Sequence, residues 1–544
     1  MGIKRYIASK DNTITNAFEP DLLTRGTGSN MGEADVLEVF SIYGQASSAS
    51  AESARILIEF PISDVDSDRT AGNIPVSGSV NFYLKMSNAK HSSTLPRNFT
   101  LEVAALSQSW EEGSGLDMEE YSDLTYNGSG SNWVMRGSGS TWGTIGGKFH
   151  DHPKFKQTFE RGHEDLEIDI THLVENWVDG ISLGGSGDGV NDDSRKLNYG
   201  VAVYLTSSQE AKTVGVANAL IQNKTGSMQS FYTKKFFGRG TEFFFKKPCI
   251  EARWDSSLKD EGGTFNLWSP LAEDPSGDTR SDNINTIYFY NNVNGQLKNI
   301  SSTYLPNNKI LVSLYSSSVD GTRPIGSKLE LKSSSYDAGF KSVVTTGQTN
   351  ATGGLSTTTG IYSCSLALTG TDVSGTLTNI FAVWHNKDGF VAGANRFDFH
   401  TSSIAVSHRR ASTANSIPRH VTSAPSLRSS YHKNETARFR FYIREKNWNP
   451  NIYTKATSEA KTSVMENAYF RISRIADNHT VIDYGTGSAN NEYSRLSYDV
   501  SGNYFDLDMN LLQPDYAYGV NLIYYVNGAY VEQPEQFKFR VEES

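Results

Sequence analysis

Short apolar runs recur along the whole chain, and most stand beside glycine, asparagine, serine or proline. Examples are Ala54–Phe60, Val80–Leu84, Leu101–Leu106, Val201–Leu205, Thr286–Tyr290, Ile310–Tyr315, Arg438–Ile443 and Val520–Val526. Runs of this length, rich in β-branched and aromatic residues and bounded by turn formers, predict the strands of sandwiches or barrels. Asn294-Gly295 follows a β-prone run and predicts a tight hairpin. One segment has a different period. Leu173, Val174, Trp177 and Val178 form an apolar stripe at helical spacing, with Thr171 placed to cap it and Gly180 to end it. A short helix closing one end of a sandwich is expected there.

At 544 residues the chain exceeds what one hydrophobic core organises. Residues 1–255 are expected to form the first domain. Its aromatic-rich end, Phe231–Trp254, gives way to Asp255-Ser256-Ser257 and the polar turn Asp260-Glu261-Gly262-Gly263. Residues 256–408 are expected to form a middle β-sandwich. From Arg409 to Lys433 stand Arg409, Arg410, Arg419, Arg428 and Lys433, no acidic residue, and Pro418 and Pro425. This stretch, 409–433, reads as a basic Ser/Thr/Pro linker, or as an arm docking on an acidic neighbour. Residues 434–544 are expected to form the last domain. The Gly/Ser-rich stretches 127–147 and 184–194 read as long loops.

Composition narrows the function classes. Only 37% of residues are hydrophobic, which suits thin sandwiches better than a thick α/β core. The formal net charge of −10 disfavours a nucleic-acid partner, because phosphate contact needs clustered positive charge. The two cysteines, Cys249 and Cys364, fall in different expected domains, so no disulfide framework is expected and a reducing cytoplasm suits assembly. Met1-Gly2-Ile3-Lys4-Arg5 leads into no apolar h-region, so no secretory signal is expected, and Tyr6 argues against myristoylation. No run approaches the ~18 apolar residues of a membrane span.

Candidate chemistry is sparse. Gly184-Gly185-Ser186-Gly187-Asp188 has Asp where a nucleophile elbow needs its last Gly. Gly26-Thr27-Gly28 lacks the third glycine of a dinucleotide fingerprint, and there is no P-loop. Asp64, Asp66 and Asp68 alternate like calcium ligands, but Arg69 and Pro75 stand where the turn glycine and closing glutamate belong, so a solvated acidic loop is expected. His150-Asp151-His152, with His163 nearby, would hold a metal only if chains pooled their histidines; loop histidines are the plainer reading. Glu111/Glu112 and Glu119/Glu120 are adjacent pairs, and neighbours on a strand point to opposite faces, so neither pair flanks one glycosidic bond. Trp110, Trp133 and Trp142 could stack on sugar rings but more naturally fill cores. No catalytic, cofactor-binding or metal-ligating residue is expected.

An ordered set of segments carries a family resemblance. Asp11-Asn12-Thr13-Ile14 opens it, followed by Ala54–Phe60, Val80–Leu84, Leu101–Leu106 leading into Trp110-Glu111-Glu112-Gly113, then Trp142. The helix with Trp177 and the closing strand in Asn198–Val203 complete it. Together these make residues 1–255 resemble the DNRLRE-type jelly-roll family, a carbohydrate-binding-module-like fold, although the hexapeptide itself is absent. Near the other end, Leu512, Pro514 and Tyr518 match the Leu-x-Pro-x-x-x-Tyr pattern of the tyrosine corner, so residues 434–544 resemble a fibronectin-III or immunoglobulin-like sandwich. Trp110, Trp177, Leu512, Pro514 and Tyr518 are accordingly expected to be structural.

Phe236–Thr241, Glu251–Asp255 and Gly502–Asn510 resemble segments of tailed-bacteriophage virion proteins. The resemblance implies an all-β, non-enzymatic structural protein of serial sandwiches, in the neck, collar, tail or fibre, assembled into virions in the host cytoplasm. It would attach to other virion proteins, in multiple copies or as a homo-oligomer around a symmetry axis, with a host-surface glycan as a further candidate contact and no nucleic-acid or membrane partner. A carbohydrate-binding adhesion module and a polysaccharide depolymerase are the alternatives.

Overall fold

A computed structural model describes residues 2–19, 24–44, 51–90, 96–116, 130–183, 196–212, 223, 225–258, 265–266, 285–294, 296–305, 310–319, 323–329, 331–333, 352–358, 360–368, 379–386, 397–407, 420–446, 463–486, 492–499, 501–526 and 528–543. The chain is all-β, built from serial sandwich-like units. Glu119/Glu120, Gly184–Asp188, Gly295 and residues 409–419 lie outside the described residues.

The first unit contains β1 (Ile3–Ile7), β2 (Lys10–Thr15), β3 (Val36–Tyr43), β4 (Ala51–Glu59), α1 (Ile62–Thr70), β5 (Asn81–Met86) and β6 (Phe99–Leu106). After them come β7 (Met135–Gly137), β8 (Ser140–Thr141), β9 (Phe149–Phe159), β10 (Leu166–Asp169), α2 (Thr171–Leu183), β11 (Val201–Leu205), β12 (Phe231–Phe237) and β13 (Cys249–Arg253). Four strands form one sheet in the order β1-β13-β5-β10; seven form the other, β12-β3-β4-β11-β6-β9 with β2 also on β4. The inner faces and both helices enclose one core, including Phe82, Leu84, Ile56, Ile58, Val103 and Trp177.

Three strands of the larger sheet are apolar on both faces, and the structure shows why. Ile56 and Ile58 face the main core, whereas Leu57, Ala104, Leu106, Ala202 and Tyr204 face outward into a second core. That outer layer is roofed by Trp110, Trp133 and Trp142, all buried. Without this roof, the outward apolar positions would be exposed to water.

The helices depart from expectation in two ways. Asp64, Asp66 and Asp68 stand on α1, not in a solvated loop; Ile62 and Val65 anchor this helix in the core, too few apolar positions to show a helical period. Helix α2 continues past Gly180 to Leu183. Gly180 serves close approach: a Cβ there would lie 2.5 Å from the Lys196 carbonyl oxygen. At its start, the Asp169 carboxylate accepts both the Thr171 N–H (2.9 Å) and its hydroxyl (2.6 Å), so Asp169 does the capping and Thr171 is the first helical residue.

In the middle unit, the described residues form a nine-stranded sheet that runs from Phe265–Asn266 through Asp398–Ser407, Asn379–His385, Ile310–Val319, Thr352–Thr358 and Ile361–Leu368 to Asn285–Tyr290, with Arg323–Lys328 also on Ile310–Val319 and Leu331–Ser333 on Ile361–Leu368. Phe289, on Asn285–Tyr290, stacks on His400 near the other end at 5.3 Å, so the sheet folds over on itself around one core. Asn292–Val293 pairs with Gln296–Leu297 in the expected hairpin, and Asn294 has φ 54°, the left-handed conformation of a primed turn.

In the last unit, one sheet orders His420–Ser423, Thr436–Glu445, Gly502–Asp508 and Ser497–Asp499. The other orders Ser430–His432, Phe537–Glu542, Ala517–Val526, Ala468–Arg474 and Thr480–Ile482, with Ala529–Glu532 on Ala517–Val526. Phe439, Phe441 and Ile443 point into the core while Arg438 and Arg440 point out to Asp506 and Asp499, giving the period of two. The described part of the expected basic linker corrects that reading. His420–Ser423 and Ser430–His432 are strands of this sandwich, Tyr431 is in its core, and Arg428 is held by Glu435 at 2.7 Å. Two strands too short to show a period, separated by a proline turn, read as linker in sequence.

Candidate interdomain site

The four-stranded sheet of the first unit turns its odd-numbered residues away from its core. The register places Arg5 opposite Glu251, Glu251 opposite Tyr83, and Lys85 between Cys249 and Glu167. One face therefore carries Arg5, Lys85 and Arg253 beside Glu251 and Glu167. Glu251 is the hub: it accepts Arg5 Nε at 2.6 Å and Arg253 Nε at 2.8 Å, with Lys85 Nζ at 3.7 Å. Arg253 also donates to Glu167 at 2.7 Å.

The last domain covers the Arg5–Glu251–Arg253 part of this face, while Lys85 and Glu167 stay partly exposed. Arg5 Nη2 donates to the Val481 carbonyl at 2.9 Å, and the Arg253 guanidinium lies 5.2 Å from the Tyr493 ring centre. Ile3 joins the last domain's core, as does the flank of Phe245, which stacks on His479 at 5.5 Å and lies under Arg474 at 5.2 Å. After β13 the chain is tied down again: Leu258 N–H donates to Ser497 Oγ (2.9 Å), and its carbonyl accepts Tyr498 N–H (3.0 Å).

Burial by itself would raise the Glu251 pKa, but Arg5, Lys85 and Arg253 overcome it and hold the carboxyl well below the usual carboxylate range. Arg253 is pushed the other way: burial opposes its charge, and Glu251 and Glu167 more than compensate. Cys249, on the same face, has its thiol pushed up to about 11 by burial. The arrangement is chemically a latch, with buried charges satisfied by one another and by a backbone carbonyl from the far end of the chain.

Trp110-Glu111-Glu112-Gly113 forms a second polar junction. Trp110 is buried and donates Nε1–H to the Tyr199 carbonyl at 2.9 Å. Glu111 accepts the Ser138 N–H at 3.0 Å. Glu112 accepts the Asp11 N–H at 2.8 Å and takes Arg239 Nη2 on both oxygens at 2.9 Å. Gly113 admits no side chain, because a Cβ would lie 1.9 Å from Asn30 Oδ1. Asp11 accepts the Arg239 N–H and is pushed up to about 6, chiefly by burial, with Arg239 opposing and Glu112 adding to the rise. The two glutamates serve separate structural partners, so they do not converge on a substrate.

Trp177 sits in the main core with no exposure. The Tyr518 hydroxyl donates to the Gln513 carbonyl at 2.7 Å; Leu512 is buried, and Pro514 lies in the turn between them. His150 and His152 are on β9 and not in a loop: His150 is buried, His152 is exposed, and His163 is exposed beyond the strand. Among the described residues no group of three or more His, Cys, Asp or Glu is placed to hold a metal. Sequence reasoning missed one pair with catalytic-looking geometry: Ser313 Oγ lies 2.8 Å from His385 Nε2. Their exposures are 1% and 0%, so this pair satisfies buried polar groups and meets no substrate. It also missed the latch, whose members lie on four strands; only the alternation of charge in Glu251-Ala252-Arg253 hints at it.

No protein-family model and no curated protein matches the sequence. Among solved structures, a chimeric titin Z1Z2–Z1Z2 tandem functionalised with a GRGDS peptide from fibronectin aligns at 10% identity, covering 53% of this chain and 97% of its own, with a TM-score of 0.14. The titin Z1Z2 domains in complex with telethonin align at 11% identity, covering 53% and 90%, with a TM-score of 0.12. At such TM-scores neither alignment bears on the function of this chain.

Proposed function

We propose that this protein is a non-enzymatic structural subunit of a tailed-bacteriophage particle, in the neck, collar, tail or fibre, where it attaches to other virion proteins. One observation supports this reading most. Two of the segments that resemble virion proteins, Glu251–Asp255 and Gly502–Asn510, flank the junction between the first and last domains: Glu251 and Arg253 form the latch, and Asp508 and Asn510 face the groove beside it. A chain closed on itself by buried ion pairs suits a load-carrying part. Glycan binding through Trp110, Trp133 and Trp142 is disfavoured, because all three rings are buried against the outer apolar layer and offer no face to a sugar. A depolymerase using Glu111 and Glu112 is disfavoured by their separate partners.

The test is mass spectrometry of purified particles from a phage encoding this sequence. Presence at a fixed copy number, with label on the particle surface in microscopy, supports the proposal. Absence from particles overturns it.

A further inference from the structure

Lys234 is a buried cation. It stands on β12, at the edge of the seven-stranded sheet, and is 1% exposed. The rings of Phe159 and Phe236 flank its ammonium, with centres at 5.1 and 4.8 Å. Three oxygens accept its protons: Asn88 Oδ1 at 2.5 Å, the Glu164 carbonyl at 2.8 Å and the Gly162 carbonyl at 3.0 Å. Asn88 follows β5, which belongs to the other sheet. Backbone bonds hold the two segments together around this contact. The Phe237 N–H donates to the Ser87 carbonyl and the Ala89 N–H to the Lys235 carbonyl, each at 3.0 Å.

A buried lysine is ordinarily satisfied by a carboxylate. Here its nearest acceptor is a carboxamide, and an amine held against an amide carbonyl is a pair that can react. A C=O bond is about 1.2 Å, so Asn88 Cγ lies within about 3.7 Å of Nζ, near the ~3–3.5 Å of a poised attack. Removing one proton from Nζ leaves two N–H bonds for the Gly162 and Glu164 carbonyls and turns the lone pair toward Asn88. Burial favours that neutral amine: it pulls the Lys234 pKa down to about 8, with Asp165 and Glu164 opposing. A proton carrier is also in place. Asp165 Oδ1 accepts the Asn88 backbone N–H at 2.6 Å, and Asp165 is exposed, so its carboxylate adjoins Asn88 and exchanges protons with solvent.

We propose that Lys234 and Asn88 form an intramolecular isopeptide bond that crosslinks the two sheets of the first unit. The neutral amine attacks Asn88 Cγ, a new C–N bond forms, and the Cγ–Nδ2 bond breaks. Asp165 accepts a proton from the attacking nitrogen and passes it to the departing one, which leaves as ammonia. An amine and a primary amide thus become a secondary amide and ammonia, with no oxidant or cofactor, and the remaining N–H still donates to one of the two carbonyls. The bond would join residues 146 positions apart and, unlike a disulfide, would resist reduction. It does not depend on the particle in which the chain resides.

Intact-mass measurement of the folded full chain, held at about pH 8, should find it lighter than its sequence by one ammonia. Tandem mass spectrometry of a tryptic digest should find one branched peptide joining Asn88 to Lys234. Lys234→Arg and Asn88→Ala should keep their full calculated masses and give no branched peptide. Asp165→Asn should accumulate uncrosslinked chain and lose ammonia at least tenfold more slowly. The wild-type mass decides the matter even where a variant folds poorly. Full mass in the folded wild-type chain, an ammonia loss that maps to other residues, or a branched peptide formed undiminished in Asp165→Asn would overturn the proposal.

Discussion

Arg5 donates its Nη2–H to the backbone carbonyl of Val481, 476 positions later, across 2.9 Å. The same guanidinium holds Glu251 through Nε at 2.6 Å. One side chain therefore links the first strand of the chain, the last strand of its first domain and the C-terminal sandwich.

Glu251→Gln should be severely destabilising, because it leaves Arg5 and Arg253 buried without their shared anion. Breaking one side of such a pair costs about 3–5 kcal/mol. Denaturant unfolding would measure it, and limited proteolysis should cut near Ser256–Leu258 sooner. The pH dependence has a definite sign. The folded-state pKa of Glu251 is depressed, so its contribution is present above the unfolded carboxylate pKa, about 4.3, and is lost as pH falls through the lower folded value.

Asp11 behaves in the opposite sense. Its folded pKa, about 6, lies above the unfolded value. Between roughly pH 4 and pH 6 the folded state holds a proton that the unfolded state has released, so stability falls as pH rises through this window. Asp11→Asn should flatten that slope in thermal melts taken from pH 4 to pH 7 and should cost little at pH 7.

Tyr518→Phe should destabilise the last domain by about 1–3 kcal/mol, because the Gln513 carbonyl loses its 2.7 Å donor. Unfolding monitored by near-UV circular dichroism would show it. Pro514→Ala, which keeps that bond, should have a smaller effect.

Trp177→Ala should cost about 3–5 kcal/mol for the cavity it leaves. Trp177→Phe should cost much less, because it also removes an indole N–H that is buried with no hydrogen-bond partner in this structure. Gly180→Ala should be disruptive despite alanine's higher helix propensity, since its Cβ would meet the Lys196 backbone. Thermal melts of the three variants would rank them.

Cys249 and Cys364 are both buried, with thiols pushed up to about 11 and about 12. Neither should react with a maleimide at pH 7 in the folded chain, and both should react in denaturant. Counting labels by intact mass checks this.

The amino-acid sequence by itself determined the strands. Ala54–Phe60, Leu101–Leu106 and Val201–Leu205 are legible because apolar β-formers between turn residues have few other uses, and Trp177 is legible because its neighbours repeat at helical spacing. The pattern Leu512, Pro514, Tyr518 was readable because a tyrosine corner is local: donor and acceptor lie five residues apart. Helix α1 was not readable, because two buried side chains, Ile62 and Val65, fix it through the core and not through its own period. Nor were the strands His420–Ser423 and Ser430–His432, which exist through partners up to about a hundred residues away. The Trp110-Glu111-Glu112-Gly113 run marked a junction in sequence, but only the fold showed that Arg239 and Asp11 occupy Glu112. The latch is the extreme case. Arg5, Lys85, Glu167, Glu251 and Arg253 are unremarkable singly, and strand register alone places them on one face. Burial of Arg5, Glu251 and Arg253 then makes their charges matter, because a charge removed from water must find its counter-charge within a few ångströms.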